Sequence, residues 1–200
     1  MERLRKYAKE FDIELSDEQI EMFNVYYKML IETNKVMNLT AITDYDEVIT
    51  KHFIDSISLA LVYPRISEYA KGNDNSLGSI EETINIIDLG TGAGFPGIPL
   101  KIVFPNIEIV LMDSLNKRIN FLQSVINELG LKKITAIHGR AEEMAKKSEY
   151  RESFDLCVSR AVANLSTLSE YCIPFVKKNG YFISYKASEV ETEVDNAKRL

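Results

Sequence analysis

The chain has 200 residues, 46% of them hydrophobic, and a net charge of −6, which suits one α/β domain with an appendage and does not announce a nucleic-acid binder. No apolar run approaches the roughly 20 residues needed to span a bilayer, and the charged start Met1-Glu2-Arg3-Leu4-Arg5-Lys6 leads into no signal region. Cys157 and Cys172 sit in apolar runs and read as reduced packing residues of a cytoplasmic protein; with two histidines at no ligand spacing, they speak against a disulfide or a metal site.

The first part of the chain reads as helical. Ser16-Asp17-Glu18-Gln19 is a capping box, and Ile20, Phe23, Tyr27, Leu30 and Ile31 recur at helical spacing behind it. A turn is expected at Asn38-Leu39-Thr40. A second amphipathic helix is expected from about Asp46 to Leu61, ending before Pro64. The polar stretch Lys71–Thr83 (KGNDNSLGSIEET) is the best boundary candidate, dividing a helical region, 1–83, from a second unit, 84–200.

From Ile84 onward strands and helices alternate. Strands are predicted at Ile84–Leu89, Ile107–Asp113, Ile134–His138, Phe154–Ser159 and Gly180–Lys186. Helices are predicted within Gly97–Phe104, over Asn116–Leu129 with Gly130 closing it, and over Leu165–Val176, where Pro174 ends or bends the helix. Continuous apolar strands alternating with helices imply a parallel sheet covered on both faces. Ser188–Leu200 is a charged helical pattern with no strand after it.

The run Ile86-Ile87-Asp88-Leu89-Gly90-Thr91-Gly92-Ala93-Gly94-Phe95-Pro96-Gly97 carries most of the information. It reads as a buried strand, a glycine turn, and a helix whose first N–H groups are unpaired. Gly92-x-Gly94-x-x-Gly97, with the acid Asp113 downstream, matches the dinucleotide fingerprint, so an NAD-dependent oxidoreductase is one reading. The longer pattern Asp88-x-Gly90-x-Gly92-x-Gly94 places a carboxylate at the strand end, where it repels a pyrophosphate and attracts a cation. S-adenosylmethionine carries a sulfonium and an ammonium and no phosphate, so the acid-first loop favours it. The plainer role for Asp88 is to cap the turn.

Asp113 ends the second predicted strand, where a carboxylate can accept both hydroxyls of a ribose, with Ser114 able to share or replace it. The plainer role is a bond to its own loop backbone. Ala141 and Glu142, after the third strand, sit where backbone N–H groups and a small side chain can read an adenine edge; alternatively this is an ordinary helix start. Arg160 ends the fourth strand and suits an anionic or hydrogen-bond-accepting group, or else an ion pair with Asp155 or Asp113. No general base is evident. Guanine N7 has no proton to lose, so a transfer to it needs positioning rather than a base. His52 and Asp55 lie at i and i+3, either as a helix-surface pair or reaching over a cofactor mouth. Tyr26 and Tyr27 read as core and interface residues. The segment from Asn116 to Arg151 holds eight Lys/Arg, Lys117 and Arg118 among them, against four Glu, which is either an RNA-facing region or ordinary solvated surface.

Taken in order, Asn34-Lys35-x-x-Asn38-Leu39-Thr40-Ala41-Ile42, His52-x-x-Asp55-Ser56, Gly90-Thr91-Gly92-Ala93-Gly94-Phe95-Pro96-Gly97, Asp113-Ser114-x-x-Lys117-Arg118, Arg140-Ala141-Glu142 and Ser159-Arg160-Ala161-Val162 resemble the RsmG (GidB) family of bacterial 16S rRNA (guanine-N7) methyltransferases. The resemblance spans about Asn34 to Lys186. It implies a class I, Rossmann-like methyltransferase core with an N-terminal helical extension, lacking its last C-terminal strands in this chain. It implies S-adenosylmethionine as methyl donor, no metal, and cofactor contacts from Gly90, Phe95, Ala141, Glu142 and Arg160. The implied acceptor is a guanine in the decoding region of 16S rRNA, free or in the small ribosomal subunit, with no obligate protein partner. Lys186 is followed by Ala187 where the family pattern leads one to expect Lys-Gly. The remaining reading is a non-catalytic S-adenosylmethionine-binding module that docks on RNA.

Overall fold

The computed structural model describes residues 1–70, 83–160, 163–186 and 190–197. The predicted boundary at Lys71–Thr83, apart from Thr83, lies outside the described residues, as do Ala161, Val162 and Ala187.

Helix α1 (Glu2–Glu10) buries Leu4 and Ala8, one turn apart. Helix α2 (Asp17–Met37) starts on the predicted capping box: Ser16 Oγ accepts from the Gln19 amide and Gln19 Oε1 accepts from the Ser16 amide. Gln19 does a second job. Its Nε2 donates to the carbonyls of Ile102 and Val103, so one side chain closes the start of α2 and the end of another helix. α2 stops at Asn38 in the left-handed conformation (φ 50°), where the turn was predicted.

The predicted helix from Asp46 to Leu61 is not one regular helix. It divides into α3 (Tyr45–Val48), a π-helical stretch Ile49–Ile54, α4 (Asp55–Ile57) and α5 (Leu59–Val62), with α6 (Arg65–Ala70) following. The hydroxyls of Thr50, Ser56 and Ser58 donate back to the carbonyls of Asp46, His52 and Asp55. Such bonds compete with the helical ladder and bend it.

Five strands follow: β1 (Asn85–Leu89), β2 (Glu108–Asp113), β3 (Ile134–His138), β4 (Phe154–Arg160) and β5 (Val176–Tyr185). They form one parallel sheet in the order β3-β2-β1-β4-β5. The crossovers carry α7 (Gly97–Val103), α8 (Asn116–Glu128), α9 (Ala141–Met144) and α10 (Leu165–Cys172), and α11 (Glu191–Ala197) comes last. The chain switches direction across the sheet between β1 and β4, the place where ligands bind in open α/β sheets.

β5 begins four residues earlier than predicted. Val176 pairs with Phe154, and the ladder then jumps to Tyr181 opposite Leu156. Lys177–Gly180 form the intervening bulge, with Asn179 at φ 67°. The predicted helix holds over residues 165–175 and closes at Pro174, as expected, in a single 3₁₀ turn, so that Val176 starts the strand.

Both sheet faces are covered, as the apolar strands implied. Ile87, Leu89, Met112 and Cys157 pack under Leu168, Cys172 and Phe175. On the opposite face Ile86, Ile109, Leu111 and Val158 join α7 and α8 in a larger core. That core runs on without interruption into Phe23, Tyr26, Leu30 and Phe53 of the N-terminal helices.

Candidate functional site

The glycine loop leaves β1 with Gly90, Gly92 and Gly94 all at positive φ (71°, 62° and 104°), a conformation that residues with a Cβ adopt at a cost. Gly97 is required for a different reason: a Cβ there would stand 2.2 Å from Leu111 Cδ2 and 2.8 Å from Asp88 Oδ2. The helix after the loop does not present the unpaired N–H groups expected of it. Gly97 N–H donates to Asp88 Oδ2 at 2.8 Å, Ile98 N–H to the Gly94 carbonyl, Pro99 has no N–H, and Leu100 N–H goes to Pro96. Gly90 and Thr91 donate to the Met112 carbonyl, and Gly92 to Asp113 Oδ2. The fingerprint Gly92-x-Gly94-x-x-Gly97 is therefore present as sequence but does not form a phosphate cradle.

Asp88 is fully buried. Its Oδ2 accepts from Thr91 Oγ1 (2.6 Å) and Gly97 N–H, so it caps the loop, while its Oδ1 is buried without a hydrogen-bond partner. Burial raises its pKa to about 6; the bonds to Thr91 and Gly97 and the charge of Arg160 oppose that shift, and Asp113 adds to it.

A cavity of ≈ 290 Å³ opens over the C-terminal ends of β1, β2 and β3. Gly90, Asp113, Ser114, Ala141 and Glu142, all predicted site residues, line it together with Tyr171 of α10. Asp113 accepts from Gly92 N–H (3.0 Å), Leu115 N–H (2.9 Å) and Arg118 Nη1 (3.1 Å). Arg118 Nη1 also reaches Asp113 Oδ1 at 3.5 Å, so all four acceptor sites of the carboxylate face protein donors, and a ribose hydroxyl there competes with Arg118. Arg118, predicted to face substrate, is the ion-pair partner of Asp113, and Lys117 lies exposed on the first turn of α8.

Phe95, Arg160, His52 and Asp55 gather elsewhere, where the N-terminal helices meet the second half of the loop. Arg160 Nη1 donates to Asp55 Oδ2 (2.8 Å) and to the Lys51 carbonyl (3.1 Å), and its Nη2 lies 3.3 Å from His52 Nδ1. The guanidinium carbon stands 5.0 Å from the Phe95 ring centre, and the His52 ring stacks on Phe95 at 4.4 Å. The partner of Arg160 is thus neither Asp155 nor Asp113. Asp155 instead accepts from Asn85 N–H and pairs with Lys177. His52 and Asp55 are not a local surface pair either, since each turns to Arg160. Burial, and then the neighbouring Arg160 charge, lower the His52 pKa to about 4. Tyr26 is a core residue, as expected: its ring packs on Phe95 and Phe53, and its hydroxyl donates to the Ala93 carbonyl at 2.6 Å. Tyr171 was missed, because an aromatic on an amphipathic helix carries no signal that separates core from cavity wall.

The sequence profile of a family described as rRNA small subunit methyltransferase G matches residues 19–200. Ribosomal RNA small subunit methyltransferase G of Lachnoclostridium phytofermentans is 53% identical over 186 residues, covering 93% of this chain and 71% of that protein. Its counterpart in Thermoanaerobacter sp. is 50% identical over 199 residues, covering 100% of this chain and 77% of the other. Among solved structures, a SAM dependent methyltransferase from Aquifex aeolicus superposes with a TM-score of 0.50 at 16% identity, over 77% of this chain and 82% of that one, a likeness of fold.

Proposed function

The chain belongs to the rRNA small subunit methyltransferase G family, and on that premise we propose that it transfers a methyl group from S-adenosylmethionine to N7 of a guanine in the decoding region of 16S rRNA, in the bacterial cytoplasm. The observation that carries this reading is the cavity over β1–β3, lined by Gly90, Asp113, Ser114, Ala141 and Glu142 in a chain of this family. The residues fit the donor. The cavity is close to the lower end of ligand-pocket volumes, a cation-attracting carboxylate with an unused oxygen, Asp88 Oδ1, lies buried at the strand end, and the amides of Gly90, Thr91, Gly92, Gly94 and Phe95 already donate within the protein, which suits a ligand without phosphates.

Bound there, S-adenosylmethionine supplies a methyl group activated by a sulfonium. Gly90 lets a ligand approach the loop, and Gly92 and Gly94 hold its shape. Asp113, beside Ser114, would take a ribose hydroxyl in exchange for Arg118, and Ala141 and Glu142 would border the adenine. Asp88 supplies negative charge behind the loop. Phe95 and Arg160 form the wall at the reacting end, with His52 and Asp55 holding Arg160 in place. Lys117 meets RNA phosphate. The in-plane lone pair of guanine N7 takes the methyl as the bond to sulfur breaks. Positive charge passes to the guanine ring and no proton leaves, so no residue is required as a general base. Orientation then supplies most of the rate.

Incubation with methyl-labelled S-adenosylmethionine and small subunits lacking the modification, followed by digestion to nucleosides, tests the reading. Label recovered as 7-methylguanosine is the expected result. Label in another nucleoside, or no label from a protein that binds the donor, overturns it.

A further inference from the structure

The motif Asn34-Lys35-x-x-Asn38-Leu39-Thr40-Ala41-Ile42 has no part in the site described so far. Asn34 grips Thr40 from both sides: its Oδ1 accepts the Thr40 N–H at 2.9 Å and its Nδ2 donates to the Thr40 carbonyl at 3.0 Å. Asn38 makes the left-handed turn that this bracket requires. Thr40 Oγ1 then accepts from Ile42 N–H at 3.0 Å and stands 2.8 Å from His52 Nε2. On the other side of the same ring, His52 Nδ1 faces Arg160 Nη2 at 3.3 Å.

A guanidinium only donates, so contact with Nδ1 requires that nitrogen to carry a lone pair. A neutral imidazole then carries its proton on Nε2 and donates it to Thr40. The Lys51 carbonyl, which lies 3.2 Å from Nδ1, has its donor from Arg160 Nη1 and needs none from the ring. In this tautomer Arg160 Nη2 donates to Nδ1 and Nε2–H donates to Thr40; in the other, the Thr40 hydroxyl donates to Nε2 and Nδ1–H to the Lys51 carbonyl, and the Arg160 Nη2 contact is lost. We propose that Thr40 and His52 are positioning residues: the Asn34–Thr40 loop fixes His52 as its Nε2–H tautomer, and the ring with Asp55 aims Arg160 at the reacting end of the site. His52 stays neutral over the working pH range, consistent with its lowered pKa of about 4, and acts through Arg160 rather than on the substrate.

The catalytic consequence rests on the methyltransferase reading, whereas the tautomer does not, and the test separates them. The chain has two histidines, so a His138→Gln background leaves a single imidazole for nitrogen-resolved NMR. The expected spectrum is the Nε2–H tautomer between pH 6 and pH 8, with Thr40→Val redistributing the proton and Arg160→Ala raising the His52 pKa. An Nδ1–H ring in the unaltered site overturns the proposal whatever the activity. In methyl transfer, Thr40→Val lowers kcat about tenfold, Thr40→Ser restores it, and affinity for S-adenosylmethionine by calorimetry shifts by less than about threefold. In an Arg160→Ala background the Thr40→Val step costs less than about twofold, because the residue it positions is gone. An equal tenfold loss in both backgrounds marks Thr40 as merely structural and overturns the proposal. If Thr40→Val does not fold, as judged by its melting curve, Thr40→Ala takes its place in the same cycle.

Discussion

The two halves of the glycine loop sit in opposite surroundings. Its first half, at Gly90, borders an open cavity built from strand ends, the start of α9 and Tyr171 of α10. Its second half, at Phe95, is buried under Tyr26, His52 and Phe53 from the N-terminal helices. On the proposed function the sheet supplies the cofactor side, while the reacting side is shared with the N-terminal helices. Those helices are part of the site and continue its core, because Tyr26 holds the loop carbonyl at Ala93 and Asp55 holds Arg160.

The contrast is broken most directly at Arg160. Its side chain is 14% exposed, and its contacts are with Asp55, Lys51, His52 and Phe95. Arg160→Ala removes the only described contact set that ties the end of β4 to Lys51, His52 and Asp55. We expect kcat/KM for methyl transfer to fall about 100-fold, the scale of a lost positioning contact. A fall of less than threefold would show that the shared wall does not orient the acceptor.

Asp88 tests what holds the loop itself. The unfolded carboxyl titrates near 3.8 and the folded one near 6, so between those values the native protein holds a proton that the unfolded chain has released. The stabilisation is fully present below pH 3.8 and is lost as pH rises through 6, a difference of about 3 kcal/mol. Asp88→Asn cannot ionise and keeps an oxygen for the Gly97 N–H. Its melting temperature relative to the parent protein should therefore rise between pH 4 and pH 8. A constant difference across that range would mean that Asp88 ionises as freely in the folded protein as in the unfolded chain.

A smaller effect separates backbone shape from charge. Gly97→Ala leaves the charges alone but drives a Cβ against Leu111 and Asp88. Overpacking of this kind costs about 1–3 kcal/mol, measurable as a lower urea midpoint. An unchanged midpoint would show that Leu111 moves aside without cost.

The alternation of strands and helices was legible because β1 to β4 are short, mostly apolar runs that end at glycine or a polar residue; β5, interrupted by Lys177–Gly180, was legible only from Gly180 onward. Gly90, Asp113, Ser114, Ala141 and Glu142 were legible for the same reason, since each sits at or soon after a predicted strand end; Tyr171, on α10, does not. The junction was not. Asp55 and Arg160 are 105 residues apart, and no periodicity couples them; only the way α4 packs beside α7 brings them together. The loop amides misled in another way. A helix start after glycines normally offers free donors, but here Asp88 and the loop's own carbonyls occupy them, and the sequence shows those groups without showing where they turn.

Gln19 gives the smallest test of whether the helices and the sheet act as one body. Its amide completes the capping box of α2 through Oε1 and reaches the carbonyls of Ile102 and Val103 at the end of α7 through Nε2. Glu at this position still closes the box but cannot donate to α7. Ala loses both functions. If the two helices are coupled through this side chain, Gln19→Glu should lose most of what Gln19→Ala loses, about 1 kcal/mol by urea denaturation. If Gln19→Glu matches the parent protein, the side chain serves α2 alone. The coupling between the N-terminal helices and the loop helix would then rest on the apolar core and on Tyr26.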